Sequence, residues 1–252
     1  MRAPPAALAL AQALELFNAG RTVQALSLCQ QALAAEPTDP GLQQLLASLL
    51  LATDDAVGAL RAITQVLARH PGHAPARRLA VQATLRCGQQ LLAQNEPARA
   101  ADLLQALTAD QPALGEAWYA YGSALYAAGK PGLSRAAFLT TTRCLPTLVP
   151  AWFALALACE DLHHHDEAAA ALTQVLALAP DHVEALINLG LVEQTRGRLD
   201  TALDLHARAW RLQPDLLGRI TMALCSQRAG AVWLNSAGLV QELSRRCPPQ
   251  AA

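Results

Sequence analysis

The densest cluster of groups able to do chemistry is Glu160-Asp161-Leu162-His163-His164-His165-Asp166-Glu167, where three imidazoles stand between two pairs of carboxylates. Imidazole and carboxylate together bind zinc, copper or nickel. His163, with Asp166 or Glu167, would be the first candidates for such ligation. Adjacent side chains point in different directions, however, and a polar run of this kind also suits a solvated turn. The turn is the expected reading, and no metal or cofactor is assigned.

Six cysteines stand at 29, 87, 144, 159, 225 and 247, with no CxxC pair among them. Their spacing fits neither a zinc site nor a disulfide framework, and small buried hydrophobes in a reducing compartment are expected. There is no Gly-rich phosphate loop, no GxSxG and no HExxH, so no catalytic arrangement stands out and no enzyme is expected.

The elements that carry these residues are helical by composition. The 252 residues are 53% hydrophobic but only 4% aromatic. Ala and Leu, which favour helices, dominate, and the β-branched residues that favour strands are scarce. The formal net charge is −1, from 19 basic and 20 acidic residues, so no broad positive field draws the chain to nucleic acid or anionic lipid. No apolar run reaches the ~20 residues that span a bilayer. At the start, a single Arg2 and an apolar stretch broken by Gln12 and Glu15 read as a first helix rather than a signal peptide. A cytoplasmic location is expected.

Proline sets a period. Pro112, Pro146, Pro180, Pro214 and Pro248 are each 34 residues apart, as are Pro37 and Pro71; Pro71 to Pro112 is 41, one period plus seven. With each proline at position 32, frames run over 6–39, 40–73, 81–114, 115–148, 149–182, 183–216 and 217–248, with an insertion at 74–80. Position 8 then holds Ala13, Ala47, Gly88, Gly122, Ala156, Gly190 and Leu224; position 20 holds Ala25, Ala59, Ala100, Ser134, Ala168, Ala202 and Ser236. Small residues at two fixed places let paired helices approach to ~8–10 Å between axes. Gly20, Gly129 and Gly197 at position 15 fit the turn between the helices, and proline ends the second helix. A hairpin of this size cannot bury its apolar face alone, so stacking is required.

The frame Ala117-Trp118-Tyr119-Ala120-Tyr121-Gly122 with Phe138 and Pro146, and the frame Ala185-Leu186-Ile187-Asn188-Leu189-Gly190 with Ala202, Ala209 and Pro214, carry a family pattern. The chain resembles the tetratricopeptide repeat, whose period is also 34. The resemblance implies an all-α fold, a right-handed α-solenoid of about seven helical hairpins forming one superhelix over 6–247. The insertion 74–80 is nearly two helical turns, so it keeps the phase of a helix face and is expected to extend a first helix, with Pro75 in its first turn. Frame 217–248, with Ala231 at the turn, is expected to be a degenerate cap, and 249–252 a disordered tail.

In this family the first helices line a concave groove through positions 2, 5, 6, 9, 12 and 13. Transferred to this sequence, the partner-binding residues are Tyr119, Ser123, Tyr126, Phe153, Leu157, Glu160, Ile187, Asn188 and Leu191. Most are apolar or aromatic, which suits a helix or extended peptide with apolar anchors. The family's clamp for a C-terminal carboxylate is not expected: Asn188 and Arg86 match it, but Tyr119, Ala120 and Ser123 occupy the adjoining frame.

The resulting expectation is a non-catalytic scaffold or adaptor that binds a segment of another protein. The resemblance also implies an alternative, an accessory subunit or recruiting region of a transferase-type enzyme, since bacterial transferases often carry such arrays. So apolar a groove could equally serve self-association. Neither nucleic acid nor membrane is an expected partner.

Overall fold

The computed structural model describes residues 6–226 and 236–246, and every regular element among them is helical. The expected turn at Ala231, Cys247, the helix-ending Pro248 and the tail 249–252 lie outside the described residues. The chain divides into two compact units, residues 1–112 and 113–252.

The N-terminal unit holds α1 Ala6–Asn18, α2 Thr22–Ala35, α3 Pro40–Ala52, α4 Ala56–Arg69, α5 Ala74–Ala93 and α6 Pro97–Asp110, each packed on the next. Helix α5 has 20 residues where α3 has 13. Residues 74–80 make up its first two turns, and Pro75 falls in the first turn, where a missing N–H removes no helical bond. His73 caps this helix, its Nδ1 accepting the Ala76 N–H at 3.2 Å. Apolar side chains cluster around Ala13, Cys29 and Leu42 and around Ala47, Ile63 and Ala83.

The C-terminal unit holds α7 Gly115–Ala127, α8 Pro131–Cys144, α9 Val149–Asp161, α10 His165–Leu178, α11 Val183–Thr195 and α12 Leu199–Leu212. A 3-10 turn at Pro214–Leu216 then leads to α13 Leu217–Ser226 and α14 Ser236–Arg246. Although position 8 of this last frame is the bulky Leu224, that side chain is fully buried with Ile220, Leu239 and Leu243 against Leu203 and Ala207. Ionic contacts hold the frame in place. Arg219 on α13 grips Glu184 on α11 at 2.8 and 2.7 Å, and Arg246 on α14 reaches Asp200 and Asp204 on α12 at 2.8 and 2.9 Å.

The hairpin turns repeat one geometry six times. The residue at position 15 has positive φ in every described frame: Gly20, Asp54, Asn95, Gly129, His163 and Gly197, between 58° and 77°. The residue after it donates its N–H to the carbonyl five residues back, as in Arg21 to Leu16, Lys130 to Leu125 and His164 to Cys159, at 2.8–2.9 Å. This left-handed cap satisfies a carbonyl that the helix end leaves open. Glycine enters it freely; Asp, Asn and His are the side chains that tolerate it best. Three of the six turns were therefore invisible to a search for glycine.

In the frames with glycine at position 8, that residue makes room for the large side chain at position 24. A β-carbon on Gly88 would lie 2.8 Å from Leu104, and one on Gly122 2.7 Å from Phe138. Ser134 at position 20 adds a bond, its hydroxyl donating to the Gly122 carbonyl at 2.9 Å while fully buried. In these hairpins one side chain fills the approach that glycine permits, which fixes how far the two helices can close.

Candidate functional site

The first helices of the C-terminal unit, α7, α9 and α11, carry the residues assigned to a docking face. Their placement follows from helical spacing: positions 5, 9 and 12 share one stripe, and positions 4, 8 and 11 turn into the hairpin. Of these, α7 packs directly against α9.

Tyr119 is half-buried, its ring 5.9 Å from that of Phe138. Ser123 donates to the Tyr119 carbonyl at 2.9 Å, so its hydroxyl proton is used within its own helix. Phe153 is half-buried and leans on the His182 ring at 5.1 Å. His182 is meanwhile fixed by capping α11, its Nδ1 accepting from the Ala185 N–H at 3.2 Å. Leu157, Asn188 and Leu191 are half-buried, and Tyr126 is 37% exposed. Tyr119, Phe153 and Leu191 pack along the edge of the main core and keep part of their surface outside it.

Ile187 is different. At 1% exposure it belongs to the core, with Leu186 and Leu189 beside it. It offers no surface to a partner, because the neighbours of α11 close over it.

The polar end of the stripe joins two helices. Burial first, and the neighbouring Asp161 carboxylate of α9 second, push the Tyr126 phenol on α7 up to about 12. Glu160, next to Asp161, is half-buried, and its Oε1 is buried without a hydrogen-bond partner. Burial first, and the Asp161 charge second, push its carboxyl up to about 7. Asp161 was not among the residues assigned from the sequence. Its position 13 belongs to the family's groove set, and that was the available signal.

The histidine-rich segment forms the turn between α9 and α10, with φ 58° at His163. The His163 and His165 rings are 6.0 Å apart, and His164 Nδ1 lies 3.7 Å from Glu167. Both carboxylates proposed for metal are occupied by cations of the chain: Asp166 by Arg196 at 2.8 Å and Glu167 by Arg135 at 2.5 Å. Among the described residues no group of three or more His, Cys, Asp or Glu side chains converges as a metal site would require.

Cys29, Cys87 and Cys159 are poorly placed for nucleophilic work. Burial pushes the Cys29 thiol up to about 11 and raises those of Cys87 and Cys159 as well. A thiol held protonated is unreactive. In the N-terminal unit a shallow apolar recess lies between α4, α5 and α6, lined by Leu60, Leu67, Val81, Leu103 and Leu107. No described helix is long and apolar enough to cross a membrane.

Repeated antiparallel helix pairs, a left-handed turn at position 15 and a position-8 hole filled from position 24 define an α-solenoid of helical hairpins. Family models described as the tetratricopeptide repeat match residues 16–82, 85–147 and 151–216. The chain belongs to the tetratricopeptide repeat family. No curated protein matches it. Among solved structures it is similar to the MamA protein, at 20% identity, TM-score 0.58, covering 71% of this chain and 94% of that one. It is also similar to YrrB, whose structure is described as a TPR protein with an unusual peptide-binding site, at 20% identity, TM-score 0.60, covering 74% and 93%. A third is PilF of Pseudomonas aeruginosa, at 16% identity, TM-score 0.54, covering 83% and 92%. Likeness at this level of identity concerns the fold.

Proposed function

We propose that this chain is a non-catalytic interaction scaffold that holds a peptide or helical segment of another protein on the stripe formed by α7, α9 and α11. The observation that carries this reading is the half-exposed row Tyr119, Tyr126, Phe153, Leu157 and Leu191, left over after the core of the same helices is filled. Large side chains with part of their apolar surface in water gain from being covered, at roughly 25 cal/mol per Å². Aromatic groups pinned by their neighbours, as Tyr119 is by Phe138 and Phe153 by His182, lose little entropy when a partner arrives, a property of strong anchor points. The peptide-binding description of YrrB supports the same use of the fold.

The test is site-specific photo-crosslinking with benzoylphenylalanine at Leu157, compared with the same group at Gln174, which is exposed on α10. Protein adducts at 157 that are missing at 174, and that disappear when Phe153→Ala is added, are the expected result. Adducts of equal yield at both positions, or none at 157, would rule the stripe out. Adducts made only of this chain would make the stripe an interface between copies.

A further inference from the structure

Acidic side chains in the C-terminal unit are mostly neutralised from within. Asp166 and Glu167 hold Arg196 and Arg135, Glu184 holds Arg219, Glu193 holds Arg196 and Arg198, and Glu242 holds Arg245 and Arg246. The described acids of this unit without such a cation are Glu116, Asp181, Asp215, Asp161 and Glu160; the first four are exposed, where water solvates them. Glu160 alone among them is half-buried, and no cation of the chain acts on it. Its Oε1 is shut away from water and receives no hydrogen bond. A carboxylate in that state is costly unless a donor or a positive charge reaches it.

Its place in the fold says where that donor would come from. Glu160 lies one turn along α9 from Leu157, itself one turn from Phe153, so the unpaired carboxylate ends the same apolar stripe. Asp161 beside it lies near Tyr126 of α7, so the acidic end borders the neighbouring first helix.

Resting on the docking reading above, we infer that the bound segment is basic as well as apolar: a lysine or arginine of the partner seats on Glu160, with apolar residues of the same segment on Leu157 and Phe153. The cation bonds the carboxylate at its open oxygen and holds Glu160 ionised, which offsets the cost of the unpartnered Oε1. Asp161 adds negative potential at the same end. An acidic segment is rejected, because it would bring like charge to a site already short of counter-ions.

The experiment selects random dodecapeptides displayed on phage against the whole chain. The enriched peptides are then synthesised and their affinities measured by fluorescence anisotropy. The expected peptides carry Lys or Arg within one helical turn of a Leu, Phe or Trp. Glu160→Gln, which keeps the shape and removes the charge, weakens them by about tenfold or more, the range for a hydrogen bond to a charged group. Replacing the peptide's lysine by norleucine gives the same loss, and the two changes together cost no more than either one. Asp161→Asn gives a smaller loss, and circular dichroism shows both variants folded. Enriched peptides that lose binding with Phe153→Ala but lack a basic residue, or ignore Glu160→Gln, overturn this inference and leave the docking stripe standing. Failure to enrich any peptide sensitive to Phe153→Ala overturns the stripe itself and this inference with it.

Discussion

His206 on α12 lies directly against the Gly190 backbone on α11, so close that a β-carbon on Gly190 would come within 2.6 Å of the imidazole Cε1. It occupies position 24, where the five preceding hairpins place Cys29, Ile63, Leu104, Phe138 and Leu172. The ring is fully buried and neither nitrogen has a hydrogen-bond partner. A polar ring thus serves as the spacer that apolar side chains provide elsewhere.

That substitution should make stability depend on pH. Burial pushes His206 down to about 4, against ~6.5 for an exposed histidine. Between these values the unfolded chain binds a proton that the folded chain does not, so stability is complete above pH ~6.5 and falls as the pH drops toward 4. The loss from pH 6.5 to pH 5 is about 2 kcal/mol at ~1.4 kcal/mol per unit. In urea unfolding at pH 7.5 and pH 5, His206→Leu is expected to remove this part of the difference. It should also raise stability at pH 7.5 by ~1 kcal/mol or more, since two unsatisfied nitrogens leave the core. An unchanged pH slope in the variant would show that His206 is not the group responsible.

Glycines of the same chain should respond in opposite senses. Gly122→Ala drives a methyl to 2.7 Å from Phe138, which is 2% exposed and has nowhere to move; a loss of ~1–3 kcal/mol is expected. Gly132→Ala on α8 meets nothing within 4 Å and should gain up to ~1 kcal/mol from the lower entropy of the unfolded chain. Thermal melts of the two single variants decide it, and a stabilised Gly122→Ala would contradict the close packing at position 8.

Position 15 offers a third comparison. Asn95 and His163 hold φ of 59° and 58°, which glycine adopts without steric cost. His163→Gly is expected to raise stability by ~1 kcal/mol, and Asn95→Gly by less, since Asn already tolerates this region. Gly129→Ala, at φ 69°, should lose ~1 kcal/mol. Equal melting temperatures for wild type and His163→Gly would show that the turn carries no strain to relieve.

The repeat was legible because its parts are local. A proline every 34 residues stops one helix per period, and alanine or glycine at positions 8 and 20 sets the approach of two helices adjacent in sequence. The turn was only half legible. Glycine announces a left-handed residue, but Asp54, Asn95 and His163 enter the same conformation because the flanking helices impose it. The histidine run illustrates this: its residue types suggest metal, and its place in the chain makes it a turn whose carboxylates are held by Arg135 and Arg196.

The amino-acid sequence by itself determined the hairpins, their phase and the family, since helix propensity, proline and small residues act over one or two turns. It also marked the stripe on α7, α9 and α11, because helical periodicity puts those side chains on one face. Only the tertiary structure decided what each member of the stripe is worth. Ile187 and Leu191 are both apolar and one turn apart, yet the first is sealed in the core and the second keeps an open edge. Glu160 and Glu167 are both acidic, yet one holds an arginine and the other has no cation. Burial and pairing are sums over neighbours brought from tens of residues away, and no local pattern contains them.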